Sequence, residues 1–197
     1  GYFPLFDGGD PTAMVATLGK VWRIAEISIK PWPSGRASHA TLAALDGAGD
    51  VAAITAHVPP LIARLVGRPW TPEMTPAMSP AYARLCLPFL AALMLRDGRI
   101  DPRCFTAQSF ADPALQALSA RLTLVIDGNP DPNALGPQRF ELAMADGSVR
   151  NLSTPATFGS PANPVSPEWH AEKLRFARSL ALVDTPPQDP FVLLCGR

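Results

Sequence analysis

Apolar and polar residues alternate along the chain in a way that predicts several short strands. Residues 24–29 alternate roughly between apolar and polar positions, which predicts a half-buried strand over about 22–30. Residues 50–59 and 121–127 are rich in β-forming residues and end at turn residues, so they are predicted as strands. Residues 140–144 and 149–152 flank Asp146-Gly147 and predict a hairpin.

Helices are predicted between these strands. The best-defined pattern runs from Ser79-Pro80 to Gly98, with a kink expected at Pro88. A helix over about 39–48 should begin at the N-cap Ser38. Further helices are expected over 10–19, over 60–67, from Asp112 to Leu118, and from Ser166 onward with Trp169, Phe176 and Leu180 on its inward side. The pattern predicts an α+β fold: a mostly antiparallel sheet of four to five strands with helices packed on it.

Composition narrows the classes of function. Lys+Arg and Asp+Glu are both 17, and zero net charge argues against a nucleic-acid partner. No apolar run is long enough to predict a membrane span. The three cysteines lack CxxC spacing, so neither a disulfide framework nor a zinc site is predicted, and free thiols in a cytoplasmic protein are expected. The sequence has no glycine-rich phosphate loop and no cluster with metal-ligand spacing, so we expect no cofactor and no metal.

The segment from Lys30 to His39 carries the candidate chemistry. Lys30, Arg36 and His39 lie between a predicted strand and a predicted helix, where cations and a helix N-terminus favour an anion such as a small carboxylate. A plainer interpretation stays open for each residue. Lys30 is then an exposed lysine, Arg36 a surface or interdomain ion-pair partner, and His39 a packing residue at the helix start.

Three segments resemble the 2-methylcitrate dehydratase/cis-aconitate decarboxylase (MmgE/PrpD) family. Lys30-Pro31-Trp32-Pro33-Ser34 with His39 resembles the family's Lys-Pro-Tyr-Pro-Ser-Cys…His segment. Residues 83–91, followed by Asp97-Gly98, are similar to its Ala-Lys-Phe-Ser-Leu-Pro-Tyr-x-x-Ala helix. Residues 159–166, with Lys173 in the next helix, resemble its Gly-x-Pro-x-Asn-Pro-hydroxyl element. The three occur in the family's order and cover nearly the whole chain.

The resemblance implies the smaller α+β domain of a two-domain enzyme that acts on small di- and tricarboxylates without metal or organic cofactor. By the resemblance, Lys30 carries over to the active site, His39 follows in the same segment, and Phe89 falls at a pocket position. The charge of Arg36 suits a substrate carboxylate, so Lys30 and His39 are predicted to be catalytic and Lys30, Arg36 and Phe89 to bind substrate. Phe89 stands where the family has a pocket Tyr, and Gly35 where it often has Cys. The other acid–base residues would come from a missing N-terminal helical domain, and the whole enzyme is expected to be a homodimer.

These implications predict three regions. Residues 1–20 are a remnant of a preceding helical domain or a linker, 21–183 form the α+β domain, and 184–197 are a C-terminal tail. The expected function is a 2-methylcitrate dehydratase-like lyase whose isolated small domain is inactive. Two alternatives remain: a stand-alone binding or interaction module with the same fold, and an isomerase, epimerase or decarboxylase of the same family.

Overall fold

A mixed four-stranded sheet in the order β2-β1-β3-β4 organises the first part of the chain. The computed structural model describes residues 12 and 15–181 of the 197 residues. The strands are β1 (Val51–Val58), β2 (Leu122–Ile126), β3 (Gln138–Met144) and β4 (Val149–Thr154). β1 runs parallel to β2 and antiparallel to β3, and β3 runs antiparallel to β4. The α+β prediction is confirmed, with one parallel pair in place of a purely antiparallel sheet.

One face of the sheet builds the core. Ile54 and Ala56 of β1 lie opposite Leu142 and Phe140 of β3, and all four are buried. A shift of register between Val51 and Ala53 brings Val51 onto the same face as Ile54 although the two are three residues apart. The large apolar residues of β1 are therefore buried, whereas Ala52 and Ala53 at the register shift are exposed.

Short helices surround the sheet. They are α1 (His39–Leu45), α2 (Pro60–Val66), α3 (Pro80–Ala83), α4 (Leu87–Asp97), α5 (Ala107–Phe110) and α6 (Pro113–Ser119). Within residues 15–181, four 3-10 helices span Arg23–Glu26, Arg36–Ser38, Pro72–Ala77 and Pro102–Cys104. Of the predicted helix over 10–19, residues 10, 11, 13 and 14 lie outside the described residues, residues 12 and 15 are helical, and residues 16–19 form turns. The tail 184–197 lies wholly outside the described residues.

The predicted strand over 22–30 is wrong. Residues Arg23–Glu26 form a 3-10 helix, closed by an ion pair between Arg23 and Glu26 at 2.9 Å. An alternating segment forms a stable strand only where another strand accepts its hydrogen bonds, and the sheet supplies none here. Lys30 therefore follows an irregular segment and not the end of a strand.

Pro88 separates two helices where the sequence predicts a single kinked one. α3 ends at Ala83, and α4 begins at Leu87 with Pro88 in its first turn. Proline has no N–H, and its ring clashes with the carbonyl four residues earlier, which is that of Arg84. That carbonyl instead accepts a hydrogen bond from the backbone N–H of Gly35 at 2.9 Å. The helix break thus provides an attachment point for the Lys30–His39 segment.

A second compact unit begins at Ser166 and includes α7 (Pro167–Ser179). The Ser166 hydroxyl accepts from the backbone N–H of Trp169 at 3.1 Å, so the predicted helix start is confirmed. Trp169, Phe176 and Leu180 are each half-buried.

Candidate functional site

Hydrogen bonds to backbone carbonyls fix the Lys30 side chain and the loop that follows it. Lys30 is exposed, and its Nζ donates a hydrogen bond to the carbonyl of Ser34 at 3.2 Å. Pro31, Trp32 and Ser34 are buried beneath it. The ammonium therefore lies on the surface side of a well-packed loop.

Ser38 does not cap α1 as the sequence predicts. It lies in helical conformation at the end of the 3-10 helix Arg36–Ser38, and its hydroxyl donates to the carbonyl of Gly35 at 2.7 Å. The Ser34 hydroxyl lies 2.8 Å from it. The Ser38 hydroxyl therefore stabilises the loop and does not cap the first turn of α1.

His39 lies in the interior, at the first residue of α1. The residue is 0% exposed, and neither ring nitrogen has a hydrogen-bond partner. Burial, reinforced by the positive charges of Lys30 and Arg36, lowers the pKa of His39 from 6.5 to about 4. The backbone of Ser34 and of Phe158 favours the protonated ring and opposes part of this shift. We conclude from its burial that His39 is a neutral imidazole near pH 7.

The ring of Trp32 packs beside the imidazole of His39, and the ring of Phe158 packs beside Trp32. The ring of Trp32 meets that of His39 edge-on with centroids 6.0 Å apart, and it lies 5.8 Å from Phe158. Trp32 is itself only 6% exposed. The rings raise the cost of placing a charge on His39, since they replace water with apolar surface.

The three segments that carry the family resemblance are joined by backbone hydrogen bonds. The N–H of Gly35 donates to Arg84 at 2.9 Å, and the N–H of Ile29 donates to Gly159 at 2.8 Å. Gly159 has φ +88°, and a Cβ there would lie 2.2 Å from the carbonyl oxygen of Ile29. Segments more than a hundred residues apart in sequence thus meet around Lys30.

Asn163 shapes the loop that carries Gly159. Its side-chain amide donates to the carbonyl of Ala156 at 3.0 Å and to the hydroxyl of Thr154 at 3.2 Å. Its backbone carbonyl accepts from the N–H of Gly159 at 2.8 Å. The asparagine of this element is therefore a positioning residue for the loop.

Arg36 is exposed and lines a cavity of about 360 Å³. Glu26, Thr157 and Ser160 supply the other polar side chains of its wall, whereas Lys30 and His39 do not line it. Within the described chain, Arg36 takes part in none of the ion pairs. The sequence marks Ser160 only as part of a motif and gives no sign of Thr157, because a lone hydroxyl has no distinctive spacing.

Phe89 lies in the core and not at a surface. It is 0% exposed, and its ring centroid lies 5.0, 5.3 and 5.9 Å from those of Trp70, Phe110 and Phe105. No part of the Phe89 side chain is therefore exposed at the surface of this chain. In this structure Phe89 packs in the interior, and its substrate-binding role stays a prediction.

The other titratable candidates are spread over the fold. His57 on β1 lies 3.2 Å from Glu141 on β3, and Cys86 is buried, which raises the pKa of its thiol to about 11. Lys173 lies on α7, in the second unit. Over the described residues, no group of three or more His, Cys, Asp or Glu side chains is arranged to hold a metal ion.

Comparison with known proteins defines the class. The model of the MmgE/PrpD C-terminal domain matches residues 34–182, which is more than half of the chain. The chain therefore belongs to the MmgE/PrpD family, as its C-terminal domain. A C-terminal domain implies, in the family, a partner domain on its N-terminal side. A search of the curated proteins gave no match to the chain, and no helix in the described part of the chain has the length and apolarity needed to cross a bilayer.

Proposed function

We propose that this chain is the small domain of a cofactor-independent lyase that acts on small di- or tricarboxylates, in the manner of 2-methylcitrate dehydratase. The observation that carries the proposal is that backbone hydrogen bonds join the three family segments, Gly35 to Arg84 and Ile29, next to Lys30, to Gly159. The exposed ammonium of Lys30 and the exposed guanidinium of Arg36 give this surface two cations in the same loop.

Elimination of water from a β-hydroxy acid explains why cations are needed. A base removes the proton from the carbon next to a carboxylate, and negative charge builds on that carboxylate as the C–H bond breaks. An acid protonates the β-hydroxyl, the C–O bond breaks, and water leaves as the carbon–carbon double bond forms. A fixed cation stabilises this charge, which is the role proposed for Lys30, while Arg36 binds a further carboxylate. His39 is proposed as a residue of the same site that stays neutral, held behind Trp32.

The remaining acid–base groups are proposed to come from the partner domain. Residues 15–29 expose a run of large apolar side chains, with Trp22, Ile24 and Ile27 exposed by 73%, 72% and 63%. Exposed apolar patches of this kind mark interaction surfaces. We assign this segment to contact with a helical N-terminal domain, and the assembled enzyme to a cytoplasmic homodimer.

The burial of two predicted site residues favours a second candidate function. His39 is fully buried and Phe89 lies in the core, so neither is presented to a ligand in this chain. A stand-alone binding module that retains the cations without the chemistry accounts for both placements. Within the lyase proposal, isomerisation and decarboxylation remain alternatives to dehydration.

An activity assay distinguishes these candidates. The natural polypeptide that contains this chain is incubated with 2-methylcitrate, citrate and cis-aconitate, beside the 197-residue chain alone. Turnover by the natural polypeptide and none by the chain alone is expected. Turnover by the chain alone overturns the proposed division of the site between domains, and saturable binding without turnover in both samples favours the binding module.

A further inference from the structure

The cavity beside Arg36 combines features that call for an anionic ligand. Thr157 and Ser160 line it, they are only 3% and 5% exposed, and neither hydroxyl has a hydrogen-bond partner. Buried polar groups are nearly always hydrogen-bonded, so two unpartnered hydroxyls in one cavity wall require an explanation. Rotation about a single side-chain torsion redirects such a hydroxyl, so a ligand can engage it without backbone movement.

The charge balance of the cavity wall favours a carboxylate over a cation. Glu26 is the acidic side chain of the lining, and Arg23 already compensates it through two hydrogen bonds of 2.9 and 3.0 Å. Arg36 has no such ion-pair partner among the described residues. An arginine fork and hydroxyl donors together match the two oxygens of a carboxylate.

The volume and the backbone support the same ligand. A cavity of about 360 Å³ lies near the lower end of the range for small-molecule sites, roughly 300–1,000 Å³. The loop that carries Thr157 and Ser160 is already held by Asn163, so its backbone is ordered before any ligand binds. The same loop is hydrogen-bonded to Ile29, the residue before Lys30.

We propose that this cavity is a second carboxylate subsite, in which the guanidinium of Arg36 and the hydroxyls of Thr157 and Ser160 donate to one carboxylate. Lys30 does not line the cavity and is not part of this subsite. The ligand class is a small carboxylic acid, one carboxylate of which fills the subsite. The role of this subsite in turnover rests on the proposed function, whereas its binding of a carboxylate does not.

Titration of the 197-residue chain with propane-1,2,3-tricarboxylate, an unreactive tricarboxylate, tests the subsite. Arg36→Gln should weaken binding about tenfold to a hundredfold, and Ser160→Ala or Thr157→Val about threefold to tenfold, because charged hydrogen bonds contribute more than neutral ones. Arg139→Gln is the matched control, since it removes one exposed positive charge from β3 without touching the cavity.

The outcomes separate the subsite from the reaction. Equal affinity of Arg36→Gln and the unaltered chain, equal weakening by Arg36→Gln and Arg139→Gln, or no saturable binding overturns the subsite. Loss of binding in Arg36→Gln but not in Lys30→Met, with no turnover by the natural polypeptide, supports the subsite and rejects the proposed function. Loss of turnover in Lys30→Met with an unchanged KM in Arg36→Gln supports the proposed function and overturns the subsite.

Discussion

The backbone N–H of Ile29 donates to the carbonyl of Gly159 at 2.8 Å, and this contact joins two distant segments of the chain directly beside Lys30. Gly159 permits it for two reasons. Its φ of +88° disfavours other residues, and a Cβ at this position would lie 2.2 Å from the Ile29 carbonyl oxygen. The position of Lys30 therefore depends on Gly159, which lies 129 positions later in the sequence.

Gly159→Ala should destabilise the fold more than the same change at Gly147. Gly147 has a similar φ of +84°, but no atom lies within 4 Å of the point that a Cβ would occupy, so its alanine variant carries backbone strain alone. We expect a loss of about 1–2 kcal/mol for Gly147→Ala and about 3 kcal/mol or more for Gly159→Ala. Urea unfolding of both variants measures the difference, and equal losses would show that the contact with Ile29 is unimportant.

Gly35→Ala should reveal the tight contact with the turn that precedes α4. A Cβ on Gly35 would lie 2.6 Å from Cδ2 of Leu85, although the backbone of Gly35 has an ordinary conformation. The Leu85 side chain is half-buried and can rotate away, so we expect the variant to lose only about 1 kcal/mol of stability through overpacking. In a double-mutant cycle, Leu85→Ala should relieve about half of that loss. Additive effects of the two changes would contradict this explanation.

Stability should fall as the pH is lowered because of His39. Its pKa is depressed from 6.5 to about 4, so below pH 6.5 the unfolded chain binds a proton that the folded chain does not. Unfolding is thereby favoured as the pH falls, until the folded form also binds the proton near pH 4. The loss between about pH 7.5 and about pH 5 should be about 2 kcal/mol.

Urea unfolding at both pH values, with His39→Gln as the comparison, measures this contribution. The glutamine variant lacks the titrating group, so its pH dependence over this window should be smaller by about the same 2 kcal/mol. An unaltered pH dependence in His39→Gln would mean that other groups cause the loss.

Lys30→Ala should reduce catalysis by the natural polypeptide without unfolding it. If Lys30 binds a substrate carboxylate, its loss should cost about 2–4 kcal/mol of transition-state stabilisation, seen in kcat/KM. Lys30→Arg should restore activity only in part, because a planar fork fills an ammonium site poorly. The exposed Arg139 on β3, which lies outside both the cavity and residues 15–29, offers a control whose alanine variant should change neither kcat/KM nor stability.

The melting temperature of the Lys30→Ala polypeptide completes that test. The side chain makes a hydrogen bond to the carbonyl of Ser34 at 3.2 Å, which contributes about 1 kcal/mol or less. A large drop in melting temperature would assign Lys30 to structure. An unchanged kcat/KM would remove it from the site.

Local patterns in the sequence determined most of the regular elements. The hairpin at Asp146-Gly147, the strands β1 and β2, and the helix from Asp112 each follow from turn residues, caps and periodicity that act over a few positions. The order of the three family segments was likewise visible in the sequence, and the family match confirms the class that they indicate.

Tertiary structure decided where the candidate residues lie. Alternation over residues 24–29 predicted a strand, but no neighbouring strand pairs with it and a 3-10 helix forms. His39 and Phe89 lie in the interior, where the ring of Trp32 packs against His39 and the rings of Trp70 and Phe110 pack against Phe89. Arg36 met Thr157 and Ser160 at one cavity because the Ile29–Gly159 contact folds the two segments together. Such contacts depend on packing between distant positions, which the spacing of residues along a chain does not encode.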